Sequence, residues 1–195
     1  CKNIIDATGG TIAGGYNNKV CSNNSTIAGG KSNCTPTGNC TFIGGGFSNR
    51  ADGNNNVIAG GNTNFAKGIN SSVLGGKCNQ SNQNYSTVVG GECNFTLSAY
   101  SGIVSGKSNK VCAKCSFIGG GQSNQTKGLF SGILGGFQNI LQSNADCSFI
   151  IGQNIQPSNS THNACRTFVN NLSGACGSYI EGRTLVGGAI NAADT

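Results

Sequence analysis

A chain of 195 residues with 9% charged residues, 33 glycines and only 2 prolines does not have the composition of an ordinary mixed globule, and without a Gly-x-y triplet it is not collagen. The net charge of +6 comes from 12 basic and 6 acidic residues scattered singly, which excludes the concentrated phosphate-binding patch that nucleic acid requires. No apolar run reaches the roughly 18 residues of a membrane-spanning helix, so direct membrane insertion is not expected.

A pattern of Ser/Thr/Asn-x-Ile/Val-x-Gly-Gly-x-x-Asn returns about every 15 residues and ends at Asn18, Asn33, Asn49, Asn64, Asn79, Asn94, Asn109, Asn124 and Asn139. An Asn-, Ser- and Gly-rich chain without such order reads as disordered, but one β-branched residue per repeat at a fixed place predicts stacked coils instead. The expected fold is all-β: a parallel β-solenoid with 15-residue coils. Residues 1–154 form the solenoid, with about nine regular coils over 9–154. A rise of roughly 4.8 Å per coil makes a body about 45 Å long. Residues 155–195 keep only echoes of the pattern, such as Ser178-Tyr179-Ile180-Glu181-Gly182, and read as irregular coils, a cap or a transition segment.

Within each repeat the first element is a short strand whose inward position holds Ile12, Ile27, Ile43, Ile58, Val73, Val88, Ile103, Ile118 and Ile133, the structural core. Two residues earlier a small polar residue, such as Ser71 or Ser86, shares the inner face by the period-2 alternation of a strand. The Gly-Gly pair that follows predicts a tight corner, with Gly30, Gly61, Gly76, Gly91 and Gly136 as its second members. Ser105-Gly106 keeps only the second glycine, which marks the second as the stricter requirement. The repeat asparagines from Asn33 to Asn139 then form an internal amide ladder. Two residues beyond each lies a softer inward position, as at Val20, Ala51 and Thr96, in a second short strand. Between Thr35 and Asn39 one extra residue, with Pro36 and Gly38 nearby, is expected to bulge outward without disturbing the stack.

Exposed positions stack as columns. Glu92 falls between Lys77 and Lys107, and Asp52 beside Lys67. Tyr85, Tyr100, Cys115 and Phe130 align over successive coils, so Tyr85, Tyr100 and Phe130 form a candidate contact surface. Eleven cysteines suit disulfide stapling of an exported or virion-exposed protein. Cys78 with Cys93 is the favoured stacked pair, Cys34 with Cys40 closes the extra-residue loop, and Cys165 with Cys176 staples the irregular end. A chain opening at Cys1 reads as a processed or excerpted piece, with any signal peptide or anchor outside it. Sequons such as those at Asn23, Asn39, Asn70 and Asn84 are candidate glycosylation sites on a secretory route, whereas an inward repeat Asn such as Asn33 is not.

Catalytic apparatus is not apparent. Repeat register brings no two of the six acids to adjacent coils, as glycosidase chemistry would need, and His162 is the only histidine. Cys112-x-x-Cys115 lies between strands and not at a helix start, so it makes a poor redox or metal half-site. No catalytic residue, metal or cofactor is expected.

The coil as it stands in Ser71-Ser72-Val73-Leu74-Gly75-Gly76 and Ser86-Thr87-Val88-Val89-Gly90-Gly91 resembles the left-handed β-roll repeats of trimeric autotransporter adhesin heads and of related phage and giant-virus fibre proteins. The resemblance spans roughly residues 9–154. It implies three chains packed side by side, hence a homotrimer. It also implies a role as a structural segment of an extracellular, cell-surface or virion-surface fibre, adhesive toward a glycan or cell-surface receptor through exposed loops. A head-to-tail filament is a further arrangement open to a solenoid end with unpaired strand edges. The chain also resembles grass-type ice-binding proteins, whose coils have a similar length. That makes an ice- or carbohydrate-binding monomeric solenoid the rival. The outward position before each core aliphatic reads Thr11, Thr26, Phe42, Val57, Ser72, Thr87, Gly102, Phe117 and Gly132, which interrupts the flat Thr array that ice binding requires.

Overall fold

The computed structural model describes residues 2–156 together with the strands at 167–169 and 178–180. It is an all-β parallel β-solenoid with 15-residue coils. One coil, Ser86–Tyr100, displays the rule for all of them. Ser86 and Val88 point inward from the first strand, while Thr87 and Val89 point outward. Gly91 (φ 89°) and Cys93 (φ 55°) turn the chain through left-handed backbone; Asn94 and Thr96 point inward from the second strand, and Tyr100 (φ 56°) turns the chain again. From Ile4 to Thr126 each strand is two residues long, because a left-handed corner interrupts the extended backbone on either side.

Stacking the coils generates two parallel ladders. The first strands, from Thr11–Ile12 to Phe149–Ile151, belong to a 12-stranded sheet, and the second strands, together with Ile4–Ile5, make a 10-stranded one. A third ladder of single-residue bridges runs from Tyr16 through Lys77, Glu92 and Lys107 to Phe137. Register holds at 15 residues, as in Val73↔Val88↔Ile103. It steps to 16 at Ile27↔Ile43, so the extra residue near Pro36 is absorbed at a corner while every neighbouring strand pair persists. A larger insertion follows Leu141, and a separate irregularity lies between Ile133 and Gly135, where the last repeat, Ile150-Ile151-Gly152, is one residue shorter. The echo at Ser178–Ile180 does form a strand, but it pairs antiparallel with Thr167–Val169 and so is not a further solenoid coil.

The core is a column of side chains one coil-width across. Ile27, Ile43, Ile58, Val73, Val88, Ile103, Ile118 and Ile133 are buried. Ile12 is only half-buried because it belongs to the first coil of its sheet and lacks a covering neighbour. Facing these aliphatics are the repeat asparagines, each among the fully inaccessible residues. The amide of Asn94 shows why they are tolerated inside. Its Nδ2 donates to the carbonyls of Gly90 (3.0 Å) and Gly106 (2.8 Å), and its Oδ1 accepts from the backbone N–H of Asn109 (3.0 Å). A buried amide with all these bonds made incurs no desolvation debt. The ladder starts one coil earlier than the repeat pattern indicates, at Asn3, whose Oδ1 receives the Asn18 N–H at 3.0 Å. It ends where Ile155 occupies the asparagine place and donates its N–H to Asn139 at 2.9 Å.

The two glycines of each pair differ physically. Gly76 has φ 82°, and a Cβ there would collide with the Gly91 carbonyl oxygen of the next coil. Gly75 has ordinary φ, and a Cβ there would meet nothing within 4 Å. Gly30, Gly61, Gly91 and Gly136 repeat the Gly76 situation, and Ser105 fills the permissive first place without penalty.

Two outcomes follow for equilibrium unfolding of purified variants. Gly76→Ala is expected to lose more than about 3 kcal/mol, from left-handed strain plus displacement of a neighbouring coil, whereas Gly75→Ala stays within about 0.5 kcal/mol of the parent. Asn94→Leu strands the Asn109 N–H and the Gly90 carbonyl, while the Gly106 carbonyl keeps the Glu92 N–H, and at roughly 1–3 kcal/mol per unsatisfied group should cost about 2–5 kcal/mol.

Candidate interaction surfaces

With the interior filled, chemistry is confined to what the coils present outward, and the two sheets present opposite characters. The outer face of the 10-stranded sheet carries Lys19, Arg50, Lys67, Lys110 and Lys127, with Asp6 and Asp52, interspersed with apolar residues such as Phe65, Phe95, Leu97 and Ile140. Arg50 bonds Asp52 at 2.7 Å and lies 5.5 Å from the Phe65 ring centroid. Asp52 is therefore engaged by Arg50 two residues away, and by the Thr37 hydroxyl, and not by Lys67 as coil stacking alone predicts. The planar guanidinium on the same strand reaches the carboxylate with two donors, which an ammonium one coil away does not match.

The outer face of the 12-stranded sheet has no charge over ten coils. Its first column runs from Thr11 to Phe149. Its second, the residue after each core aliphatic, reads Ala13, Ala28, Gly44, Ala59, Leu74, Val89, Val104, Gly119, Leu134 and Ile151. Leu74, Val89, Val104, Leu134 and Ile151 are all exposed, between 42% and 50%. A Cβ at Gly132 would meet both the Phe117 and the Phe149 ring, so these two rings converge over the glycine and break any flat array of hydroxyls. The apolar second column was legible in the sequence as the residue following each inward Ile or Val.

The third ladder is mixed. Glu92 bridges Lys77 (3.8 Å) and Lys107 (3.2 Å), and Lys31 sits between the Tyr16 and Phe47 rings at 5.6 and 5.8 Å. Such exposed pairs contribute about 0–1 kcal/mol each and serve mainly to match neighbouring coils.

Opposite this ladder, Tyr85, Tyr100, Cys115 and Phe130 occupy one corner column, all with left-handed backbone. The Tyr85 and Tyr100 rings stack at 4.9 Å with planes 8° apart, and the Lys114 ammonium in the following coil lies 5.5 Å from the Tyr100 centroid. The Tyr100 ring is thus contacted by Tyr85 of the preceding coil and by Lys114 of the following one. Phe130, 58% exposed, is the most open large side chain of the column. Asn23, Asn39 and Asn84 are exposed at the same corner, whereas Asn33, Asn94 and Asn124 are sealed in the amide ladder and inaccessible to modification.

The favoured cysteine pairs are brought near each other in one case and not in the other, and Cys34, Cys40, Cys78 and Cys93 are all free thiols. Cys78 and Cys93 hold equivalent places on adjacent coils with the same φ of 55°. Equivalent residues project parallel Cβ atoms about one strand spacing, ~4.8 Å, apart, beyond the ~3.8 Å typical of a disulfide. Desolvation and the hydrogen-bonded Cys78 thiol push the Cys93 thiol up from its ordinary value. Cys34 projects outward from a strand while Cys40 lies at the next corner, so they do not face one another. Burial pushes the Cys34 thiol up, against the pull of the Arg50 guanidinium. Cys165 and Cys176 lie outside the described residues.

Among the described residues no three His, Cys, Asp or Glu side chains gather as a metal site, and no helix is long and apolar enough to cross a membrane. Left-handed backbone at a bulky aromatic stores strain that asparagine relieves. Phe130→Asn is accordingly expected to raise unfolding stability by about 1 kcal/mol, read from denaturant titration of the dilute chain. The chain matches no family model and no curated protein.

Proposed function

We propose that this chain is a structural, non-enzymatic segment of an extracellular, cell-surface or virion-surface fibre, assembled laterally as a homotrimer, with receptor or glycan contacts made by its exposed corners. The observation that carries this reading is the amide ladder from Asn3 to Asn139. Each coil leaves donors and acceptors that only the next coil satisfies, so the unit extends in one direction and builds a rod, with its interior filled by its own side chains. Thinness supports the lateral step. One coil buries only one or two aliphatics, an amide and one or two small residues against the ordering of 15, and association of copies adds apolar burial without lengthening the rod. The exposed sequon asparagines are compatible with an exported location.

Light scattering coupled to gel filtration, with negative-stain imaging of the same fractions, tests this. The expected particle is elongated and has three times the 19.6 kDa chain mass. A compact species that remains monomeric at high concentration sinks the fibre reading, and ice shaping by that monomer would promote the rival solenoid.

A further inference from the structure

We propose that the charge-free outer face of the 12-stranded sheet is the surface on which another copy of this chain packs. This inference rests on the lateral association proposed above and names the face that carries it. The chain has a net charge of +6, and two copies meeting through the 10-stranded sheet would bring Lys19, Lys67, Lys110 and Lys127 against one another. The 12-stranded face presents no charge at any of its outward strand positions, so copies meet there without like-charge repulsion.

The apolar content of the face is concentrated from the fifth coil onward. Leu74, Val89 and Val104 stand on three successive coils at 46%, 42% and 49% exposure, and beyond Gly119 the row resumes with Leu134 at 50%. Ten coils at roughly 4.8 Å and three residues of width at about 3.3 Å make a strip with a projected area of about 450 Å². That is at the scale where an exposed apolar patch marks an interaction site. Corrugation by side chains brings its true surface toward the ~800 Å² per partner of a standard interface.

The spacing suits a second copy as the occupant. Outward side chains rise along the face in steps of one coil. A second copy has the same step, so its Leu and Val rows stay matched along the full length. A partner with another periodicity drifts out of phase within a few coils. Phe117 and Phe149, converging over Gly132, add relief that a copy in a fixed register can fill.

The test compares the parent chain, a Leu74→Lys/Val89→Lys double variant, and a Gln80→Lys/Gln125→Lys control on the opposite sheet, by sedimentation velocity over a concentration series. All four positions project outward, and a cooperative melt establishes that each variant folds. Should lysine unfold the coil, Val89→Thr, which keeps the β-branched shape, replaces it. The parent is expected to associate, the control to associate within about threefold of it, and the double variant at least about 100-fold more weakly; Val89→Thr should weaken association about tenfold. A parent that stays monomeric rejects lateral association itself. A folded variant that associates as well as the parent rejects this face and leaves lateral association standing on another.

Discussion

Ten asparagine side chains, from Asn3 to Asn139, hold consecutive coils together, and most of the architecture is a consequence of how one amide is satisfied. The Nδ2 of Asn79 donates to Gly75 in its own coil and to Gly91 in the next, while its Oδ1 accepts from the Asn94 N–H. For one amide to reach carbonyls on two coils, the backbones must approach more closely at that corner than any side chain permits. Hence Gly76 and its equivalents have no Cβ, and the place before them is free to vary. The same closeness sets the left-handed backbone at the residue before each asparagine, from Asn17 to Gln138.

A fold held along its axis in this way is polar inside and narrow, and its interior offers little apolar burial. The aliphatic column from Ile27 to Ile150 is a single file. Thr35 and Thr126 lie in the softer inward column with buried hydroxyls that have no hydrogen-bond partner, so even this limited interior is not fully optimised for the monomer. Apolar side chains that a globule would bury appear instead on the outer face of the 12-stranded sheet. The contrast with the lysine-bearing 10-stranded sheet gives the rod a dry side and a wet side. That asymmetry is the physical basis for placing association on one face.

Strain is distributed along the second corner in a way that the ladder does not explain. Tyr85, Tyr100, Cys115 and Phe130 all adopt φ near 55°, where asparagine, as at Asn55 and Asn70, is the less costly choice. The Tyr85–Tyr100 stack recovers part of that cost through ring contact across coils. Phe130 has no such compensation from a neighbouring ring among the described residues.

The sequence alone determined the coil length, the inward column, the asymmetry of the glycine pair, the amide ladder and the harmless extra residue near Pro36, because each depends on a local rule repeated in every coil. A period of 15 with one β-branched residue and one Gly-Gly-x-x-Asn corner leaves only one way to alternate side chains in and out. It missed Asn3 because residue 1 already lies past the place where that repeat's glycines would stand, and it admitted Asn56 to the inner polar place without its bonds to Ser71 and Ala66. Only the tertiary structure decided matters of direction and competition. Register placed Cys78 beside Cys93, but the parallel Cβ vectors of equivalent positions keep their thiols side by side and unjoined. Stacking placed Asp52 beside Lys67, but Arg50 on the same strand reaches it with better geometry. Which outward columns form one continuous dry face depends on how the coils are turned about the axis, a relation between strands that no single repeat contains.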